Sequence, residues 1–168
     1  MSNFKYGFIG AGFIAKFQAS ALKFVRGVDL AGVHALKGAD DLAAYARNEG
    51  LGDCKVYDSI KELCENVDAV AVFAPNFARI EIMKAIVDAV KGGAKLKGIV
   101  CEKPLGRTVA EAMEIVALAK EAGLKTGYFE NQIHMKGIRA QMVQLAPQQR
   151  TMGPLSLARS AEEHAGPH

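Results

Sequence analysis

From its first residues to about residue 145 this chain alternates two patterns. Apolar runs of strand length, "KYGFIG", "VDLAGVHA", "KVYD", "DAVAVFAP", "GIVCE" and "KTGYFE", are separated by stretches whose apolar residues recur at helical spacing. Strands joined through helices cannot pair as hairpins. They return to the sheet by crossovers, which are right-handed and leave the strands parallel. Six such strands predict a doubly wound α/β sheet in the order 3-2-1-4-5-6.

Local signals support the helices between the strands. Ile14, Phe17, Ala21 and Val25 mark the apolar positions of the first. Asp40 is read as the cap of the second and Gly50 as its stop, with Asp41 also taken as a capping residue. Ser59 with Glu62, and Thr108 with Glu111, have the S/T-x-x-E spacing of a capping box. Ile80, Met83, Val87 and Val90 share one face of the helix that ends at Gly92-Gly93, and Ala112, Ile115, Ala119 and Ala122 share one face of the next. A helix rich in Met and Gln is expected from about Met135 to Leu145.

Composition fits this architecture and excludes several others. Half of the 168 residues are hydrophobic and 23% are charged, enough apolar material for one compact core. The net charge of +3 is spread along the chain without a basic stripe, so neither nucleic acid nor an anionic membrane is an expected partner. No apolar stretch is long enough to span a bilayer, and "MSNFKYGFIG" runs straight into a strand without a signal peptide. Cys54, Cys64 and Cys101 lack CxxC spacing and are read as reduced, buried thiols of a cytoplasmic protein. The four histidines lack ligand spacing, so no metal site is expected.

The first chemical motif is "GFIGAGFIAKF". Gly10-Ala-Gly12-Phe13-Ile14-Ala15 is G-x-G-x-x-A, and it stands between the first strand and the first helix. That is the dinucleotide fingerprint of a Rossmann fold. Gly10 permits the tight turn, Gly12 leaves room for a pyrophosphate, and Ala15 lets the helix lie close to the sheet. The backbone N–H groups at the helix start then point at the phosphates, which rest on Gly10 to Ile14. At the end of the second strand an acid would bind the ribose hydroxyls of NAD. This chain has Ala35 there and Lys37 just beyond, which favours the 2′-phosphate of NADP. A solvated loop lysine is the competing reading of Lys37.

Ligands of such a sheet bind beyond the carboxyl ends of the strands, near the switch between strands one and four. Strand four ends in "APNFAR" and strand five in "CEKPL", so Ala74, Pro75, Asn76, Glu102 and Lys103 all fall at the nicotinamide end of a bound cofactor. Without a ligand, the Glu-Lys pair would be an exposed ion pair at a strand end.

The G-x-G-x-x-A turn, "APN" at 74–76 and above all "EKP" at 102–104 resemble the glucose–fructose oxidoreductase, inositol dehydrogenase and rhizopine-catabolism (Gfo/Idh/MocA) family of sugar-type dehydrogenases. "ENQIHMKGIRAQM" at 130–142 is similar to that family's link out of the nucleotide domain, and "MGPLSLAR" to its entry into the next. The resemblance implies a nicotinamide cofactor, NAD(P), and a small-molecule substrate with a sugar-like or polyol CH–OH group. It makes Lys103 the catalytic residue that contacts both substrate and nicotinamide, with a cis Lys103–Pro104 bond. It also puts Asn131 near the active site and implies a homo-oligomer. Arg79 stands where the family often has histidine.

The resemblance further implies a second α/β domain that carries an Asp and a His for proton transfer. Residues 1–149 are expected to form the nucleotide domain with its linker helix. Residues 150–168 are expected to be the first strand of the second domain, over Leu155 to Glu162, which alternates like a strand with one buried face. His164 and His168 do not match the family's motif. Two other readings compete with the enzyme: a non-catalytic nucleotide-binding module, and an interaction subunit that kept the fold and lost the cofactor.

Overall fold

The computed structural model describes residues 3–147, 153–159 and 161. The chain divides into two compact units, Met1–Phe129 and Glu130–His168. In the first, six strands form one parallel sheet: β1 (Phe4–Ile9), β2 (Val28–His34), β3 (Lys55–Val56), β4 (Ala69–Val72), β5 (Gly98–Glu102) and β6 (Lys125–Phe129). Their spatial order is β3-β2-β1-β4-β5-β6, as the alternation predicts. The connections carry α1 (Phe13–Ala21), α2 (Ala39–Asn48), α3 (Ile60–Asn66), α4 (Arg79–Lys91) and α5 (Val109–Glu121).

Side chains alternate across a strand, so each central strand feeds two cores. Ile9, Val70 and Val72 join Leu63, Met83, Ile86 and Ile115, a core made with α3, α4 and α5. Phe8 and Ala71, one residue out of phase, join Ala15, Ala19, Leu42, Ala43 and Ala46 on α1 and α2. Burial on both faces explains why "AVAV" in β4 has no polar residue. Cys54, Cys64 and Cys101 are free and buried. Burial pushes their thiols up to about 11, 12 and 11 respectively, so they are poor nucleophiles.

Helix α1 corrects one expectation. Its buried residues are Ala15 and Ala19, whereas Phe17 is 55% exposed and Ile14 and Val25 are also exposed. The helix lies so near the sheet that only methyl side chains fit beneath it, and the larger apolar residues turn outward. Helix α2 corrects another. Its N-cap is Gly38 at φ 75°, and Asp40 and Asp41 occupy the first turn instead of capping. Carboxylates there still complement the positive helix end.

The two S/T-x-x-E motifs cap as expected in one direction. Ser59 Oγ accepts from Glu62 N at 3.1 Å, and Thr108 Oγ1 accepts from Glu111 N at 3.2 Å. The return arm reaches one residue further back than a capping box requires. The Glu62 carboxylate accepts from Asp58 N at 3.2 Å and that of Glu111 from Arg107 N at 2.7 Å.

The second unit contains a short 3-10 turn, Asn131–His134, and α6 (Lys136–Leu145), in which no residue is buried. The strand expected over Leu155 to Glu162 does not occur among the described residues: 155–159 and 161 have no regular structure. A strand needs a bonded neighbour, and alternation alone does not supply one. Glu162, His164 and His168 lie outside the described residues. Among the described residues no helix is long and apolar enough to cross a membrane.

Candidate functional site

Register brings the strand ends to a common level. Ile9 pairs with both His34 and Val72, and Val72 pairs with Cys101. Gly10, Ala35, Phe73 and Glu102 therefore each begin one step beyond the same line. β1 is flanked by β2 and β4, whose connections leave in opposite directions, so a crevice opens above β1.

A cleft of about 680 Å³ fills that crevice. Gly10, Gly12, Ala35, Lys37, Ala74 and Pro75, all expected cofactor residues, line it together. Phe13 lines a smaller hollow of about 230 Å³ with Ala11, Gly12 and Lys16. Ile14, Asn76, Glu102 and Lys103 are not among the lining residues, and Asn131 belongs to the second unit. The walls also include His34, Leu36, Phe73, Phe77 and Ile82, which the sequence motifs did not single out. Spacing offers no signal for these residues. Only the strand-end rule could have pointed to His34 and Phe73, and Phe77 follows the APN turn.

The two fingerprint glycines do different work. Gly10 has φ +106°, and a β-carbon on it would stand 2.9 Å from Ala74 N, so the β1 turn touches the end of β4. Gly12 is the N-cap of α1 at φ −75°, and a β-carbon there would meet nothing within 4 Å. The protein itself does not need that space. It is a cradle that a side chain would fill, at a helix start with no side-chain cap and no acid in its first turn. Helix geometry leaves the first N–H groups of α1 without intrahelical acceptors, and they suit a pyrophosphate. The cleft volume also falls within the roughly 300–1,000 Å³ of small-molecule sites. The residues present fit a dinucleotide.

The polar groups of the cleft are few. His34 Nδ1 lies 2.9 Å from the Tyr57 carbonyl, and a carbonyl can only accept, so Nδ1 carries the proton. Lys37 forms no ion pair among the described residues. Phe73 stacks on Phe129 with centroids 5.5 Å apart and meets Phe8 edge-on at 4.7 Å, which anchors one wall in the core.

At the end of β5, Glu102 is buried and its Oε2 accepts from Lys103 N at 2.7 Å. The Lys103–Pro104 bond is cis. The Lys103 side chain is exposed and has no ion pair among the described residues. Arg79, the first residue of α4, is buried at 3% exposure. Its Nε donates to the Ala74 carbonyl at 3.1 Å, and its Nη1 donates to the carbonyls of Glu102, Pro104 and Leu105. No side-chain group of three or more His, Cys, Asp or Glu residues could hold a metal ion among the described residues.

A glycine turn at a topological switch, leading into an uncapped helix above an apolar cleft, defines a dinucleotide-binding domain. Residues 4–129 match the model of the Gfo/Idh/MocA oxidoreductase family, described as its NAD-binding Rossmann fold, and the chain belongs to that family. Its relatives include 1,5-anhydro-D-fructose reductase of Ensifer adhaerens, 32% identical over 126 residues, covering 73% of this chain and 35% of the relative. Glucose-6-phosphate 3-dehydrogenase of Bacillus subtilis is 30% identical over 108 residues, covering 64% and 28%. The chain thus spans about a third of the length of the curated relatives it matches. Among solved structures, GenD2 from gentamicin A biosynthesis, in complex with NAD, superposes with a TM-score of 0.70. It is 22% identical and covers 88% of this chain and 40% of its own.

Proposed function

We propose that this chain is the nucleotide-binding part of a nicotinamide-dependent dehydrogenase that acts on a sugar-like or polyol CH–OH group. The observation that carries the reading is the open cradle at Gly12, set in the wall of the cleft at the β1–β4 switch of a Gfo/Idh/MocA domain. The two relatives above are named for reactions on sugars, which supports the substrate class. When bound, the cofactor supplies hydride acceptance and donation.

The chain's own residues then have distinct tasks. Gly10 holds the turn, Gly12 leaves space for the pyrophosphate, and the N–H groups of Phe13 and Ile14 face its charge. Ala35 removes the acid that would repel a 2′-phosphate, and the Lys37 ammonium, which has no ion pair among the described residues, attracts it, so NADP is preferred to NAD. Ala74, Pro75, Asn76 and Glu102 border the nicotinamide end. Lys103, in its neutral amine form, orients the substrate hydroxyl and takes its proton as hydride leaves the same carbon. Its exposed side chain, with no ion pair among the described residues, supports that task. The reading carries with it a second, substrate-binding domain beyond about residue 149, a cytoplasmic setting and a homo-oligomer.

The test is a fluorescence titration of the chain with NADPH and NADH. Saturable binding of both, tighter for NADPH, is expected. Absence of binding to either removes the proposal.

A further inference from the structure

Arg79 stands in a place where elementary electrostatics opposes a cation. It is the first residue of α4, at the positive end of the helix, and it is 3% exposed. Burial lowers the guanidinium pKa, and no carboxylate forms a salt bridge with it among the described residues. Glu102, whose carbonyl Arg79 holds, spends a carboxylate oxygen on the Lys103 amide instead.

What holds the charge in place is a set of four peptide carbonyls. One, Ala74, follows the end of β4. The others are Glu102, the last residue of β5, and Pro104 and Leu105 in the turn that follows it. β4 and β5 are neighbours in the sheet, but their ladder stops at Val72 and Cys101. Beyond that rung the guanidinium replaces the ladder. A planar fork with several donors can reach both segments at once, whereas a lysine ammonium is a point charge and a histidine ring has two nitrogens.

We propose that Arg79 is a positioning residue that clamps the Glu102–Leu105 turn to the end of β4 and so sets the direction of Lys103. The assignment rests on the reading of Lys103 as the group beside the nicotinamide. Carbonyls drawn onto Arg79 from both sides of Lys103 hold the backbone of the intervening residue and so the direction in which its side chain leaves the turn. Arg79 itself touches neither cofactor nor substrate.

NMR on the intact chain tests it with two signals. The first is the guanidinium of Arg79 in the unsubstituted protein. Slowly exchanging, separately resolved Nε–H and Nη–H resonances are expected, and rapid exchange with free rotation overturns the clamp. The second is the resonance of isotope-labelled methyl-lysine at Lys103, assigned by its loss in Lys103→Arg, with and without NAD+. A cofactor-induced shift is expected in the unsubstituted chain. It should be lost in Arg79→Lys and Arg79→Met, while NADH fluorescence shows that both variants still bind. A shift retained in either variant overturns the proposal. If the unsubstituted chain binds NAD+ without moving the Lys103 signal, the reading of Lys103 fails, and the protected guanidinium still decides the clamp.

Discussion

Gly10 and Ala74 are in contact across the switch between β1 and β4: a β-carbon added to Gly10 would lie 2.9 Å from the Ala74 nitrogen. Gly12, two residues on, faces open space. Two glycines of one motif therefore answer to different constraints: Gly10 to packing against the end of β4 and Gly12, under the proposed function, to the ligand.

That difference predicts opposite phenotypes. Gly10→Ala places a side chain at φ +106° against backbone, and the strain alone costs about 1–3 kcal/mol. Its melting temperature falls clearly. Gly12→Val, at φ −75°, loses about 1 kcal/mol or less as a cap change and keeps most of its stability, yet it no longer binds NADPH. Thermal denaturation and fluorescence titration of both variants separate the two roles. A Gly12→Val chain that bound the cofactor normally would detach the fingerprint from the cleft.

Lys37 is exposed on the cleft wall beside Ala35. A hydrogen bond to a charged phosphate contributes about 1.5–3 kcal/mol, or roughly ten- to a hundredfold in affinity. Lys37→Ala should weaken NADP by that factor and leave NAD unchanged, and Ala35→Asp should reverse the order of the two. Calorimetry with each cofactor checks both. Equal losses for NAD and NADP would mean that Lys37 does not read the 2′-phosphate.

Lys103→Ala should leave cofactor affinity almost untouched, because the pyrophosphate cradle lies at Gly10–Ile14. In a form of the protein that turns over substrate, the same change lowers kcat by about 10²–10⁴, the usual contribution of a positioned acid–base group. Lys103→Arg does not restore it, because a guanidinium stays protonated. Turnover equal to that of the unsubstituted enzyme would reduce Lys103 to a surface charge.

Asp68 ties the strand β1 to the segment before β5. Its carboxylate accepts from Lys97 Nζ at 2.6 Å and from Lys5 N at 2.8 Å. The hydrogen bond from Lys97 holds its carboxyl below the usual carboxylate range, and that from the Lys5 amide adds to the effect. The folded value is thus lower than the unfolded one, near about 4. Its stabilisation is complete above the unfolded value and is lost as pH falls through the folded one. Asp68→Asn should flatten the acid limb of a stability–pH curve while changing its slope little at neutral pH. Urea denaturation across that range measures it.

Much of the architecture is written in local patterns. Strand-length apolar runs, helical spacing between them, Ser59 and Thr108 as caps, and G-x-G-x-x-A after β1 each depend on residues close in sequence. Short-range chemistry decides them, and right-handed crossovers with the fingerprint after β1 then point to the Rossmann order of the sheet. The same motifs brought Gly10, Gly12, Ala35, Lys37, Ala74 and Pro75 to one cleft.

Other features depend on distances that no local pattern encodes. Helical spacing marked Ile14 and Phe17 as apolar positions of α1, but the closeness of helix to sheet buried Ala15 and Ala19. His34 and Phe77 became walls of the cleft only because register aligned the strand ends. In the sequence Arg79 is marked only as standing where the resembling family often has histidine. The structure buries it because the carbonyls that stabilise it arrive from a turn more than twenty residues away. By itself the sequence determined which segments are strands and helices, the inward faces of α4 and α5, and the buried thiols. The tertiary structure alone decided that α1 buries only its alanines and that Arg79 lies inside, because that burial depends on what the sheet brings alongside.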